Sequence, residues 1–504
     1  MSANLVERSM RPCQHVLRSL LVVCAGVIPP SLAHAVDVPD VLEDPLSTRS
    51  AVAQMARSLP GNGQQPVCGT PTDVTQPLAL SDAIKLALCT NPQLKASEAT
   101  IGVVAGALGE ARAANLPTLT ATASQLHSRT VYPGQPGSNM STDGHTTNIA
   151  LNWRLLDFGT RAANREVASR SLQAALLSRD AAVQKITASV VGAYFDAQTN
   201  RAAMAAHIDA ARMAQQTLDA TLRREQGGAA AQSDTLQAKT ALAKARLAEQ
   251  RAKADYVSSL AVLSYAMGVT PGTSITLVEL EATAEPRQLK ALTQWLDEAS
   301  ASHPAIAAAR AQQDVSAAKV KAVRAEGMPS LDLTGNFYQN GYPNQGLQST
   351  RSNVVTVGVM LTIPLFEGFT RTYKIRGAQA QVEVSKAQAE DAVHEVLTEV
   401  IKAYTAAVSA QSNLEASEAL QRAATDALAS SRRRYAKGAS DILELLATQS
   451  ALADAQQERV RCLSEWQSTR LRLMTAAGEL SVASIGKETS LASKGGAAPI
   501  AERR

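Results

Sequence analysis

One long pattern occurs twice in this chain. Residues 79–119 run ALSDAIKLALCTNPQLKASEATIGVVAGALGEARAANLPTL, and residues 291–331 run ALTQWLDEASASHPAIAAARAQQDVSAAKVKAVRAEGMPSL. Asn91-Pro92 is matched 212 positions later by His303-Pro304, and Leu116-Pro117 by Met328-Pro329 at the same offset. Farther on the offset is 210: Thr160-Arg161 falls on Thr370-Arg371, Ala193-Tyr194 on Ala403-Tyr404, Gly228 on Gly438 and Met267-Gly268 on Ala477-Gly478. So long a repeat means two copies of one large unit, which favours a pseudo-symmetric object over two independent domains.

The first unit covers 78–270 and the second 290–480. Each opens with a helical stretch, 79–113 or 291–326, broken at Asn91-Pro92 or His303-Pro304 because the residue before a proline avoids the α region. A second proline, Pro117 or Pro329, ends the stretch. Strands are predicted near 118–128 and 146–156, and again near 330–340 and 353–365. Long helices follow near 159–225 and 369–437, then a Gly-containing turn and a last helix near 232–268 and 440–477. No proline lies between Pro136 and Pro271 or between Pro364 and Pro499. At about 1.5 Å per residue each long helix reaches roughly 100 Å. A helix of that length needs neighbours throughout, which implies coiled-coil-like packing.

The strands alternate. In the fourth, Val355, Val357, Val359, Leu361 and Ile363 oppose Thr356, Gly358, Met360 and Thr362. In the second, Ile149, Leu151, Trp153 and Leu155 oppose Asn148, Ala150, Asn152 and Arg154. In the third, Leu331, Leu333 and Phe337 oppose Asp332, Thr334, Asn336 and Tyr338. In the first, Leu119, Ala121 and Ala123 oppose Thr120, Thr122 and Ser124. Segments of about ten residues with one apolar face suit a membrane β-barrel, and the same period suits a half-buried soluble sheet. Aromatic residues make up only 3% of the chain, so it lacks a rich globular core, and this favours the barrel. Four strands cannot close around anything in lipid, and an open edge in hydrocarbon is forbidden, so such a barrel is shared between chains.

The N-terminus reads as an export signal: Arg11 and Arg18, an apolar run from Leu20 to Ile28, then Ala33-His34-Ala35. This predicts a signal peptide over 1–35; the apolar run is too short to span a bilayer as a helix. Residues 36–77 are expected to be an irregular periplasmic arm and 481–504 a disordered tail. Cys68 and Cys89 are either disulfide partners, as an exported chain permits, or two thiols. Cys462 sits in a helical pattern as a small packing residue. The formal charge is +4 with mixed signs, and no basic block is flanked by aromatics, so nucleic-acid binding has no support. There is no HExxH, no Walker A loop, no GxGxxG after a strand and no cysteine–histidine metal spacing. Neither an enzyme nor a metal or other cofactor is expected.

LALSDAIKLALCTNPQLKASEA resembles the first helical segment of the TolC family of outer-membrane efflux channels. LNWRLLDFGTR and LTIPLFEGFTR resemble its two strand-to-helix junctions, and SRRRYAKGASDILELL resembles its second periplasmic turn. With the duplicated layout, the resemblance covers about residues 78–480. It implies an α+β membrane protein in the outer membrane of a Gram-negative bacterium. A homotrimer would carry a twelve-stranded barrel in outer-membrane lipid and a helical tunnel across the periplasm. It implies a periplasmic adaptor and an inner-membrane ABC or proton-driven transporter as partners, and export of proteins or small molecules without catalysis. Arg224, Gly228, Arg434 and Gly438 fall at the adaptor-contact tips. Asp234 and Tyr435 match gate residues, and Ser440 stands where a gate arginine is expected. Glu444 matches an acidic pore constriction. The rival reading is a periplasmic coiled-coil adaptor or structural protein of an envelope-spanning complex. That reading leaves the alternating strand pairs unexplained.

Overall fold

The computed structural model describes residues 44–58, 77–131, 140–270, 272–278, 289–340 and 352–479. The expected signal peptide, the tail and Cys68 lie outside the described residues. Helix α1 spans Thr48–Ser58. The first repeat comprises α2 (Leu80–Thr90), α3 (Pro92–Ala113), β1 (Thr118–Thr130), β2 (Met140–Leu156), α4 (Thr160–Gln226) and α5 (Gln232–Met267). The second comprises α6 (Leu292–Ser302), α7 (Pro304–Ala325), β3 (Ser330–Asn340), β4 (Ser352–Thr362), α8 (Thr370–Ala436) and α9 (Ile442–Ala476).

Helix α1 corrects the expectation of an irregular arm over 36–77. Asp44 starts it: its carboxylate accepts from the backbone N–H of Thr48 at 2.7 Å and of Arg49 at 2.8 Å. Those bonds hold the Asp44 carboxyl below its usual range. Val52, Met55 and Ala56 then pack on Leu108, Leu172 and Leu176 of α3 and α4, and Arg112 Nη1 donates to Leu46 O at 2.7 Å. Val52, Met55 and Ala56 form a clear apolar stripe at helical spacing, but eleven residues are too few to hold a helix alone, and α1 depends on that tertiary contact.

The paired breaks at Asn91 and His303 are caps. Asn91 Oδ1 accepts from Gln93 N at 2.8 Å, and His303 Nδ1 accepts from Ala305 N at 3.2 Å. Each caps a helix whose first residue is proline, where no N–H is lost. Gly268, at φ +71°, ends α5 against Asn91; a Cβ there would come within 2.6 Å of Asn91 Cα. Gly478 sits likewise against His303. Around these joints lie two equivalent cores. Val190, Tyr194, Leu263 and Met267 pack with Leu78 and Ile84, while Val400, Leu473 and Ala477 pack with Trp295 and Ile306.

Helices α4 and α8 have 67 residues each, about 100 Å at 1.5 Å per residue. The long helices form a layer in the order α5–α4–α9–α8, with α7 against α4 and α8. Buried polar bonds fix the α4–α9 register: Gln449 Nε2 donates to Thr217 Oγ1 at 2.7 Å, and Thr199 and Ser464 join their hydroxyls. The strands form one antiparallel sheet in the order β1-β2-β3-β4. Among the described residues, layer and sheet therefore each end in two free edges, α5 with α8 and β1 with β4.

Candidate functional site

The sheet separates its side chains by chemistry. Register places Leu119 beside Leu151, Gly335 and Val357, and Ala121 beside Ile149, Phe337 and Val355. The opposite face aligns Thr118 with Asn152, Thr334 and Gly358, and Thr120 with Ala150, Asn336 and Thr356. The apolar face is bare: Val355, Val357 and Val359 are 70%, 73% and 61% exposed. No described helix is long and apolar enough to cross a membrane, but β3 and β4 have 11 residues each. A tilted membrane strand needs about 9–11.

Three strand expectations need correction. Strand β2 begins at Met140, not near 146. Its extra residues, such as Ser141, Asp143 and His145, pair with Arg129, His127 and Gln125. Both faces are polar there, so the alternation that marks a strand is missing. Second, a bulge between Arg154 and Leu156 puts Leu156, not Leu155, opposite Leu331. One extra residue inverts the parity of all that follow. Third, β4 stops at Thr362 rather than near 365, because Pro364 has no N–H to pair.

Below the sheet, each repeat turns into its long helix through two consecutive left-handed residues, Phe158-Gly159 and Gly368-Phe369. Asp157 secures the first turn by accepting from Arg161 N at 2.8 Å and Arg161 Nε at 2.9 Å. Burial raises the Asp157 carboxyl, but the hydrogen bonds from Arg161 and Gly159 outweigh it and leave the group below its usual range. Phe366 and Phe369 meet edge to face with centroids 5.5 Å apart and are 76% and 65% exposed.

At the far end, α4 and α5 meet in one tip and α8 and α9 in another. Gly228 and Gly438 adopt φ of +72° and +73°, the left-handed conformation that ends a helix with least strain in glycine. In the second tip Asp441 Oδ1 accepts from Glu444 N at 2.8 Å. Arg434 Nη1 donates to Glu444 Oε1 at 2.9 Å, and Ser440 Oγ donates to Glu444 Oε2 at 2.6 Å. Glu444, Ser440 and Arg434 are thus brought together, and the Glu444 charge is already paired. The first tip is closed by Thr235 Oγ1 donating to Glu225, a pair the sequence reading missed because neither residue stands on a patterned face.

Asp234 and Tyr435 are not brought together within the chain. Asp234 accepts from Ser233 Oγ at 3.3 Å. Tyr435 is only 9% exposed, and its buried hydroxyl has no hydrogen-bond partner among the described residues. Arg224 takes the place beside Tyr435. Its guanidinium carbon lies 4.5 Å from the ring centroid, and Nη1 donates to Tyr435 O at 3.0 Å. Cys89 is disulfide-bonded and Cys462 is free.

The family model for outer membrane efflux proteins matches residues 83–269 and 295–479, one segment per repeat. Protein CyaE of Bordetella pertussis is 34% identical over 421 residues, covering 83% of this chain and 88% of its own. The alkaline protease secretion protein AprF of Pseudomonas aeruginosa is 26% identical over 422 residues, covering 81% and 86%. Among solved structures, the CmeC outer-membrane channel of Campylobacter jejuni superposes with a TM-score of 0.68 at 17% identity, covering 82% of this chain and 89% of CmeC. The repeat-matched family model and the relatives' coverage lead to one conclusion: the chain belongs to the outer membrane efflux protein family, the TolC-type outer-membrane channels with a large helical periplasmic part.

Proposed function

We propose that three copies of this chain form one exit duct through the outer membrane. The observation that carries this reading is the four-stranded sheet, apolar on one face, polar on the other and, among the described residues, uncovered and unpaired at both edges. In water such a sheet would expose its apolar face with nothing to cover it. In lipid its edges would lack partners. Joining β4 of one copy to β1 of the next answers both problems. Three copies give twelve strands, with the Thr- and Asn-lined face around a wet lumen.

The helix layer repeats the logic. Along α5, Leu236, Ala243, Leu247, Ala254, Val257, Ala261 and Tyr265 form an exposed stripe at helical spacing. Along α8, Tyr373, Val384, Ile401 and Val408 do the same. These free edges would close as coiled-coil seams when β1 meets β4, continuing the barrel as a periplasmic tunnel. The tips, with Arg224, Gly228, Arg434 and Gly438, would meet a periplasmic adaptor carrying an inner-membrane ABC or proton-driven transporter. Glu444 would stand near the narrowest part of the entrance with Arg434 holding its charge. The cargo is a polypeptide or a small molecule; the name of AprF, a protease secretion protein matched over 81% of this chain, supports the polypeptide.

Purified protein added to planar lipid bilayers tests the duct. Discrete, uniform current steps are expected. Protein that extracts from membranes without detergent and carries no current would instead fit a periplasmic adaptor.

A further inference from the structure

The two hairpin tips are built from equivalent residues but are not bonded equivalently. Arg434 and Glu444 of the second tip correspond, 210 positions on, to Arg224 and Asp234 of the first. In the second tip the pair closes at 2.9 Å. In the first, Arg224 does not stay in its own hairpin. It reaches across to the last turn of α8, lies over the Tyr435 ring at 4.5 Å and donates to Tyr435 O at 3.0 Å. Among the described residues, the Asp234 carboxylate keeps only the 3.3 Å hydrogen bond from its neighbour Ser233.

The equivalent hairpin shows that this turn can hold its arginine on its own acidic residue. The geometry points to Arg224 as a latch with two berths: on Tyr435 it ties the two tips together, and on Asp234 it releases them. The Tyr435 berth suits a cation for two reasons. The aromatic face attracts a guanidinium, and the carbonyl end of a helix carries partial negative charge. The Tyr435 hydroxyl takes no part, since it is buried without a partner. The ring is what matters. In the resemblance-derived gate, by contrast, the hydroxyl and Asp234 bond to each other.

This inference rests on the duct reading, with the tips at its entrance. The two arrangements predict opposite signs for the same substitutions. In planar bilayers, Arg224→Ala and Tyr435→Leu are expected to raise the open-to-closed ratio of the purified channel by roughly tenfold per protomer, between the exposed and the desolvated limits of a cation–π contact. Tyr435→Phe is expected to leave it unchanged, and Asp234→Asn is expected to leave it unchanged or lower it, because only the released berth is lost. A rise in current with Asp234→Asn, or equal rises with Tyr435→Phe and Tyr435→Leu, overturns the latch while leaving the duct intact.

A second readout needs no current. Spin labels on Ala229→Cys and Ala439→Cys, in a Cys462→Ser background, report the distance between tips in detergent. The distribution should broaden with Arg224→Ala and Tyr435→Leu and stay narrow with Tyr435→Phe. No broadening with Arg224→Ala also overturns the latch. Wild-type, Arg224→Ala and Tyr435→Leu proteins that all conduct nothing remove the duct reading, and the latch with it.

Discussion

Asn91 and His303 occupy equivalent places in the two repeats, and only His303 can titrate. Burial lowers its pKa from the ordinary 6.5. The folded chain therefore favours the neutral ring, whose Nδ1 can accept from Ala305 N; a protonated ring cannot. Unfolded chains bind that proton more readily, so the cap's stabilisation is fully present above about pH 6.5 and is lost as pH falls below it. Thermal melts from pH 7.5 to 5 should show a loss of up to about 1 kcal/mol in the wild type, the usual worth of a cap. His303→Asn, which installs the residue of the first repeat, should lack that increment; an identical pH profile would mean that the cap does not titrate. The other residue-scale test concerns Cys89, whose disulfide partner is expected to be Cys68. Non-reducing peptide mapping of the mature protein should recover the two linked, and recovery of Cys68 as a free thiol contradicts the pairing.

At the scale of elements, the sheet's two faces make a direct comparison possible. Val357 and Thr356 are neighbours on β4 with opposite orientations. Val357→Arg should cost roughly 2–4 kcal/mol if the apolar face meets the bilayer midplane, and Thr356→Arg much less. The readout is the amount of folded assembly in the outer membrane; equal losses would show that the faces are misassigned. The residues that made β4 legible in the sequence are the ones this test uses, because a bilayer demands strict alternation. Long helices were legible for a related reason: a proline-free, alanine-rich run leaves few alternatives to α4 and α8. The outer part of β2 was not, since Ser141, Asp143 and His145 lie beyond the apolar band and no longer alternate. The bulge at Leu155 was hidden because inserting one residue leaves composition unchanged. Helix α1 carries an apolar stripe, but at eleven residues it needs its contact with α3 and α4 to form. At the tips, the sequence singled out Arg224, Asp234, Tyr435 and Glu444 but not their pairing. Equivalent arginines in equivalent turns choose different partners, and only the packing of one tip against the other decides between them.

At the scale of the whole molecule, everything follows from incomplete closure. A layer of helices ordered α5–α4–α9–α8 and a sheet ordered β1-β2-β3-β4 each have one edge in each repeat: β1 and α5 in the first, β4 and α8 in the second. Pseudo-symmetry between repeats makes the protomer resemble two adjacent staves of a barrel, and further copies extend the same pattern around an axis. The central claim is that the free edges join copy to copy in a closed ring. Native mass spectrometry of the detergent-extracted outer-membrane protein tests it most directly. A complex of three chains, lost when Val357→Arg disrupts the lipid face, is the predicted result. A folded species that remains a single chain at all concentrations, its sheet intact and its edges unpaired, would contradict it.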